Sequence, residues 1–333
     1  MPEIEKNFKK LMLKIGIAML IFFAAFNVFF SVWMMIDTAL FGAFDVVTAT
    51  VISQLLYGFF YAASFALPAI ILALITKNDK EPLIKSPKLS WKTPLYIVGG
   101  IAIILSFAYL NSMFVSPFGG GITDESWVEA YDEPYEIILQ LITVAVAPGI
   151  FEEVLFRGVM LAKLRQYGKT PAILISALLF ALMHQNAAQF LYAFAAGIAL
   201  GFIATETGAL LPCILVHFTN NAFSVLEQAA LANMPEELFS AVFYPIEFMI
   251  FAIGIVSFIV VAYSYYKKKK KNDFSEGMFA KELALEDKTE GFVISAKKTV
   301  KYFFSPTVIV FICISLLEAG VLLGLSYFGV PFV

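Results

Sequence analysis

Three charged side chains interrupt an otherwise apolar stretch of the sequence, PGIFEEVLFRGVM at residues 148–160. On an α-helix, Glu153 and Arg157 are four residues apart and share a face. The acid lies on the N-terminal side, which is the more favourable order for an ion pair. Glu152 is turned about 100° away around the helix and has no basic partner on that helix, so we expect it to face other helices. A carboxylate in that position can take a proton from water, which makes Glu152 a candidate general base.

The chain contains two histidines, and both lie in apolar segments. His184 follows Phe180 by one helical turn in FALMH, and His217 precedes Asn221 by one turn in HFTNN. Counting residues from the nearest basic segments places Glu152 and both histidines at depths that agree within roughly 8 Å. The sequence therefore predicts that neighbouring helices bring a carboxylate, two imidazoles and a carboxamide to one level.

This combination of side chains suits hydrolysis in either of two ways. The carboxylate can activate water while imidazole and amide donors hold the developing oxyanion. Alternatively, Glu152, His184 and His217 could bind zinc, which would lower the pKa of a bound water. The residues alone do not choose between these two mechanisms.

Two further classes of function compete with hydrolysis. Buried Glu and His side chains also relay protons in ion-coupled transporters. That class is disfavoured because the sequence shows no inverted repeat and no pair of matching broken helices. A non-catalytic membrane scaffold or immunity protein is the other alternative, and the complete set of polar residues argues against it.

The composition places these residues in a membrane protein. Of 333 residues, 60% are hydrophobic and 15% are charged, and the mean hydropathy is +0.83. A soluble domain is nearer half apolar and a quarter charged. We therefore expect an all-α, polytopic integral membrane bundle of about eight to nine transmembrane helices. The candidate spans are residues 13–36, 47–76, 94–115, 137–162, 171–187, 189–205, 209–228, 241–265 and 306–328.

The charged loops predict an orientation in the cell membrane. Lysine and arginine concentrate in residues 77–92, 163–169 and 267–271, whereas residues 116–136 carry acidic side chains and no basic ones. Because basic loops stay in the cytoplasm, we expect a cytoplasmic N-terminus. We expect the chain to divide into four parts. Residues 1–136 form the N-terminal transmembrane helices, and residues 137–228 form the catalytic core. Residues 229–266 contain an eighth span with its preceding loop, and residues 267–333 contain a basic cytoplasmic linker and an additional span.

Several other features point away from different functions. Cys213 and Cys313 both lie in apolar runs and predict neither a disulfide nor a thiolate metal site. The sequence contains no nucleotide-binding motif, and its lysines lie at span ends, so we expect no nucleotide or nucleic-acid partner. The polar segment 267–301 either contacts anionic lipid headgroups or is a solvated linker. The small residues of GIALG (197–201) predict close helix packing.

Three motifs, EEVLFR (152–157), FALMH (180–184) and HFTNN (217–221), follow one another on successive predicted helices. In this order they resemble the EExxxR, FxxxH and HxxxN/D pattern of the CPBP family of intramembrane proteases. That family comprises the type II CAAX prenyl proteases and their bacteriocin-processing (ABI) relatives in prokaryotes. The resemblance covers about residues 137–228.

The resemblance implies a conical helical bundle around a membrane cavity that opens to the cytoplasm. It implies that Glu152 and His184 activate water, and that His217 and Asn221 stabilise the oxyanion. The residues expected to support them are Glu153, Arg157 and Phe180.

The family has been described both as zinc metalloproteases and as glutamate-dependent proteases. The carboxamide of Asn221 favours the second type, because an amide is a poor zinc ligand and a good hydrogen-bond donor. The expected partners are membrane lipid and a hydrophobic, lipidated or membrane-bound peptide. Processing of prenylated proteins, peptide maturation and bacteriocin self-immunity all stay open as biological roles.

Overall fold

The computed structural model describes residues 2–77, 93–115, 133–271 and 294–327, and every regular element in these ranges is helical. We number the helices in chain order. They are α1 (Glu3–Ala43), α2 (Val46–Ile75), α3 (Thr93–Val115), α4 (Pro134–Tyr167), α5 (Lys169–Met183), α6 (Ala187–Thr207), α7 (Leu211–Asn233), α8 (Glu236–Lys271), α9 (Ala296–Phe303) and α10 (Pro306–Tyr327). The all-α class predicted from the sequence is confirmed.

Short polar signals set the ends of these apolar helices. The carboxylate of Asp45 accepts a hydrogen bond from the backbone N–H of Thr48 and caps α2. This bond holds the pKa of the Asp45 carboxyl below its usual range, because it stabilises the charged form. Asn186 caps α6 in the same way through the N–H of Ala188. Gly208 ends α6 in the left-handed conformation that glycine adopts without steric cost.

Six of the described helices are long and apolar enough to cross a membrane: α1, α2, α3, α4, α6 and α8. The pair α9 and α10, bent by 69° at the break between them, counts as a seventh span if the pair is taken together. The chain is therefore an integral, multi-pass membrane protein. The count of eight to nine spans is not confirmed.

The two remaining predicted spans, 171–187 and 209–228, differ from the others for physical reasons. Helix α5 has 15 residues, about 22 Å at 1.5 Å per residue, against a hydrocarbon core of about 30 Å. Helix α7 has 23 residues, but it carries His217, Asn220 and Asn221. Both departures concern the segments that carry the histidines, since His184 directly follows α5 and His217 lies in α7.

Helix α4 lies among α2, α5, α6 and α7 and forms the centre of the bundle. Its large side chains, among them Leu155, Phe156 and Met160, are fully buried. It is a continuous helix of mixed type, with π-helical turns at Leu141–Val146 and Val154–Leu161 on either side of Ala147–Glu153. π-Helical turns inside α-helices occur often at functional sites, because they reorient side chains and free carbonyl groups.

The small residues of the predicted 197–201 face do bring two helices together. A Cβ atom on Gly197 would lie 2.8 Å from the Cα of Ala177, so α6 and α5 pack backbone to backbone. Gly201 lies against Ile173 on the same face. The packing prediction for this face is confirmed, and it fixes α5 relative to α6.

The C-terminal helices attach to the start of α1. Lys298 and Tyr302 on α9 both contact the carboxylate of Glu5, the ammonium through an ion pair and the phenol through a hydrogen bond. The hydroxyl of Ser305 donates to the backbone carbonyl of Met12. Helix α10 then continues alongside α1. The beginning of α1 and helix α9 thus lie at the same end of the bundle.

Candidate active site

The site is built around the buried acidic pair of α4. Glu152 is 2% exposed, and Glu153 and Arg157 are completely buried. The guanidinium Nη1 of Arg157 donates to Oε1 of Glu153 at 2.7 Å, in the i,i+4 geometry expected from the sequence. Its Nη2 donates to the backbone carbonyl of Gly197 at 3.3 Å, which ties the ion pair to α6.

Glu153 has a second partner that the spacing on α4 does not indicate. Nδ1 of His217 lies 2.9 Å from the same Oε1 that accepts from Arg157. An Oε1 that Arg157 holds at 2.7 Å is a charged acceptor, so Nδ1 of His217 must carry the hydrogen. Glu153 thereby fixes the orientation of the imidazole as well as compensating the arginine.

Glu152 is turned away from the ion pair of α4 and faces α2, a different helix, as expected. Its Oε1 accepts a hydrogen bond from the phenol of Tyr61 on α2. Its Oε2 has no hydrogen-bond partner among the residues that the structure describes. This oxygen lies 4.0 Å from Nε2 of His217, beyond direct hydrogen-bond distance. One oxygen of the carboxylate is therefore held and the other is left open beside an imidazole.

His184 lies directly after α5, at the turn into α6. Its Nδ1 lies 2.8 Å from the backbone carbonyl of Phe180. Because a carbonyl only accepts, Nδ1 carries the hydrogen, and Nε2 of the neutral ring has a lone pair available. The ring of Phe180 packs against both imidazoles, 4.8 Å from His184 and 6.0 Å from His217, and against the guanidinium carbon of Arg157 at 4.4 Å.

The carboxamides of α7 continue the polar surface. Nδ2 of Asn221 donates to the backbone carbonyl of Val144 at 2.9 Å. This carbonyl belongs to the first π-helical turn of α4. Oδ1 of Asn221 accepts from Asn220 at 3.0 Å, and the phenol of Tyr192 interacts with Asn220. An amide nitrogen has two hydrogens, so Asn221 retains one N–H for another acceptor.

The hydrogen bonds define what each group can do chemically. Nε2 of His184 is an acceptor in the neutral ring. Nε2 of His217 is a donor only as an imidazolium, since Nδ1 is already protonated toward Glu153. Glu152 and Glu153 both lie beside this ring. The site can thus offer a carboxylate base, an imidazole acceptor and two N–H donors.

The zinc alternative gains no support from this arrangement. In the described ranges of the chain, no group of three or more His, Cys, Asp or Glu side chains is placed to hold a metal ion. Nδ1 of His217 is engaged with Glu153 and Nδ1 of His184 with a backbone carbonyl, which leaves Nε2 as the free nitrogen of each ring.

A shallow aromatic cleft lies between α1 and α2 beside Tyr61. It is lined by Phe26, Phe29, Phe30, Trp33, Tyr57, Phe60 and Tyr61. The wall formed by Tyr61 separates it from Glu152. Helix α2, for which the motifs carried no information, therefore reaches Glu152 through Tyr61, and α1 forms the other side of the cleft.

The structure brings together the residues predicted for the site, namely Glu152, Glu153, Arg157, Phe180, His184, His217 and Asn221. Sequence reasoning missed Tyr61 and the contact between Glu153 and His217. Tyr57 and Tyr61 are four residues apart in an apolar span, which places both on one face. Tyrosine is common in such spans, so this signal alone could not identify the contact.

Comparison with known proteins agrees with the motif pattern. Residues 134–223 match the family model described as Type II CAAX prenyl endopeptidase Rce1-like. The match includes every predicted site residue and excludes α1, α2 and α3. No curated protein and no solved structure shows a significant match to the chain.

Proposed function

Since residues 134–223 form a domain of the type II CAAX prenyl endopeptidase family, we propose that this chain is an intramembrane endopeptidase that hydrolyses a peptide bond of a membrane-associated or lipidated peptide. The observation that carries the proposal is the environment of Glu152. This carboxylate is buried in a membrane bundle, has one oxygen held by Tyr61, and has one open oxygen beside His217. An ionisable side chain in such a place costs free energy that a purely structural role would not require.

In the proposed mechanism, Oε2 of Glu152 takes a proton from water as the water oxygen attacks the scissile carbonyl carbon. Nε2 of His184 accepts the hydrogen bond from the second water hydrogen and orients the attack. The carbonyl oxygen becomes an oxyanion, which Nε2–H of His217 and the remaining N–H of Asn221 stabilise. When the C–N bond breaks, the proton on Glu152 passes to the leaving amine.

The remaining residues hold these groups in place. Glu153 keeps His217 protonated at Nδ1, Arg157 balances the charge of Glu153, and Phe180 packs against both imidazoles. We retain residues 137–228 as the catalytic core in this proposal. The N-terminus is proposed to be cytoplasmic.

The decisive experiment compares the wild type with Glu152→Gln in cells that lack the native copy. Glu237→Gln is the matched control, because Glu237 is an exposed acid in the first turn of α8. Membrane-associated peptides are then compared by mass spectrometry. Peptides cleaved with the wild type and the control, but not with Glu152→Gln, would support proteolysis. No difference among three equally expressed proteins would contradict it.

Three further experiments address the competing functions and the metal. A cellular function that survives alanine at Glu152, His184 and His217 together would favour a non-catalytic scaffold or an immunity protein. Ion flux in proteoliposomes that Glu152→Gln abolishes would favour a transporter. Loss of cleavage with a zinc chelator, and recovery on adding zinc, would establish a metalloprotease.

A further inference from the structure

Tyr61 connects the site to a helix outside the family match. It lies in α2, and its hydroxyl donates to Oε1 of Glu152. None of the three motifs contains a position for it, because all three lie within residues 152–221. The carboxylate that the proposed mechanism uses as a base thus depends on a residue that the family match does not cover.

The hydrogen bond from Tyr61 makes the two carboxylate oxygens of Glu152 different from each other. Oε1 of Glu152 is engaged by the phenol, whereas Oε2 has no partner among the described residues. The hydrogen bonds of Arg157 in the structure go from Nη1 to Glu153 and from Nη2 to Gly197, and none of them reaches Glu152. The phenol therefore fixes the rotation of the carboxylate about its Cγ–Cδ bond and directs Oε2 toward Nε2 of His217.

The ring of Tyr61 is held independently of its hydroxyl. Its centroid lies 5.0 Å from that of Phe65, 6.1 Å from that of Tyr57 and 6.3 Å from that of Phe26. Ring packing of this kind persists when a tyrosine becomes a phenylalanine. A Tyr61→Phe variant therefore removes one hydrogen-bond donor from Glu152 and leaves the packing of α1 and α2 in place.

We propose that Tyr61 is a positioning residue of the active site, which orients Glu152 for attack by water through one hydrogen bond from α2. This inference rests on the proposed function of Glu152 as the base. It makes α2 part of the catalytic machinery and predicts that the domain matching residues 134–223 requires α2 for full activity.

The kinetic test uses Tyr61→Phe with Tyr57→Phe as its matched control. Tyr57 lies one turn earlier on α2, loses the same hydroxyl, and has no hydrogen bond to Glu152. The substrate is a peptide identified by the comparison of wild type with Glu152→Gln. A positioning role predicts that kcat of Tyr61→Phe falls on the order of tenfold with KM unchanged, while the control keeps wild-type values. Unchanged kcat, or a raised KM with unchanged kcat, would overturn the proposal.

A spectroscopic test separates this inference from the proposed function. The infrared carboxylate band of Glu152 is identified as the band lost in Glu152→Gln. Tyr61→Phe should shift this band, and Tyr57→Phe should leave it in place. An unshifted band refutes the contact even if the protein is a peptidase. A shifted band in a protein that cleaves no peptide leaves the contact intact and refutes the proposed function instead.

Discussion

At the residue scale, a single carboxylate oxygen of Glu153 both pairs with Arg157 and orients the imidazole of His217. It accepts from Arg157 and from His217, so the ion pair also fixes an imidazole. Both groups of the ion pair are completely buried. Breaking such a pair by removing one partner is costly, because the other charge is left without compensation in an apolar environment.

We therefore expect Arg157→Met to reduce the free energy of unfolding by about 3–5 kcal/mol. The measurement is thermal or denaturant unfolding of the purified protein in detergent. Lys169→Met is the control, because Lys169 pairs with Glu206 at a site where its side chain is 23% exposed, and its loss should cost less. Adding Glu153→Gln to Arg157→Met should recover part of the stability. Equal losses for the two single variants would contradict this account.

A second prediction at the residue scale concerns the catalytic role of Glu152. Glu152→Gln preserves the size of the side chain and its ability to accept from Tyr61, but removes the base. General-base catalysis contributes about 10²–10⁴-fold to a rate, so kcat should fall by about that factor, with the unfolding midpoint nearly unchanged. Peptide cleavage by purified protein in proteoliposomes measures kcat, and thermal unfolding of the same purified protein measures the midpoint. A variant that retains more than about a tenth of wild-type kcat would exclude Glu152 as the base.

Residue types and spacing predicted that the charged and imidazole side chains lie near one another, although they did not predict every contact, and the reason is physical. Charged and imidazole groups are so costly in a membrane that they must find one another. The i,i+4 spacing of Glu153 and Arg157 then determined their pairing. Tyr61 escaped prediction because a phenol is tolerated in a span without a partner, so its presence carries little information.

At the element scale, the site depends on how closely α5 approaches α6. The carbonyl of Gly197 accepts from Arg157, and the missing side chain at this glycine lets Ala177 come into contact. The short α5 ends at the turn that carries His184. Hydropathy was sufficient to predict that these segments are helical. It could not predict the π-helical turns of α4, because the pattern of apolar residues is the same for both helix types.

We expect Gly197→Ala to destabilise the protein by about 1–3 kcal/mol, because its Cβ would overlap the backbone of α5. Gly320→Ala is a matched control with the opposite expected sign. A Cβ at Gly320 meets nothing within 4 Å, so alanine should stabilise α10 by up to about 1 kcal/mol. Unfolding midpoints of the two variants decide the question, and similar midpoints would show that the close approach of α5 and α6 is unimportant.

At the scale of the whole molecule, the contacts between the two ends of the described chain constrain the topology. Lys298 and Tyr302 contact Glu5, so α9 and the start of α1 lie on the same side of the membrane. The number of crossings between them must therefore be even. Among the described helices before α9, six are long and apolar enough to cross the membrane, and the number of crossings becomes eight if α5 and α7 also cross. Six and eight are both even numbers of crossings. With either number, α10 starts on the same side of the membrane as the beginning of α1 and crosses the bilayer again.

This topology predicts how cysteines at the two ends react. Lys9 and Lys297 are exposed residues of α1 and α9, and each is changed to cysteine in a background that lacks Cys213 and Cys313. Because basic segments stay in the cytoplasm, a membrane-impermeant maleimide should label both positions in inside-out vesicles and neither in sealed right-side-out vesicles. Labelling of the two positions from opposite faces would contradict the packing of α9 against α1. Labelling of both from the outer face would preserve that packing and reverse the proposed orientation, so the two parts of the topology are tested separately.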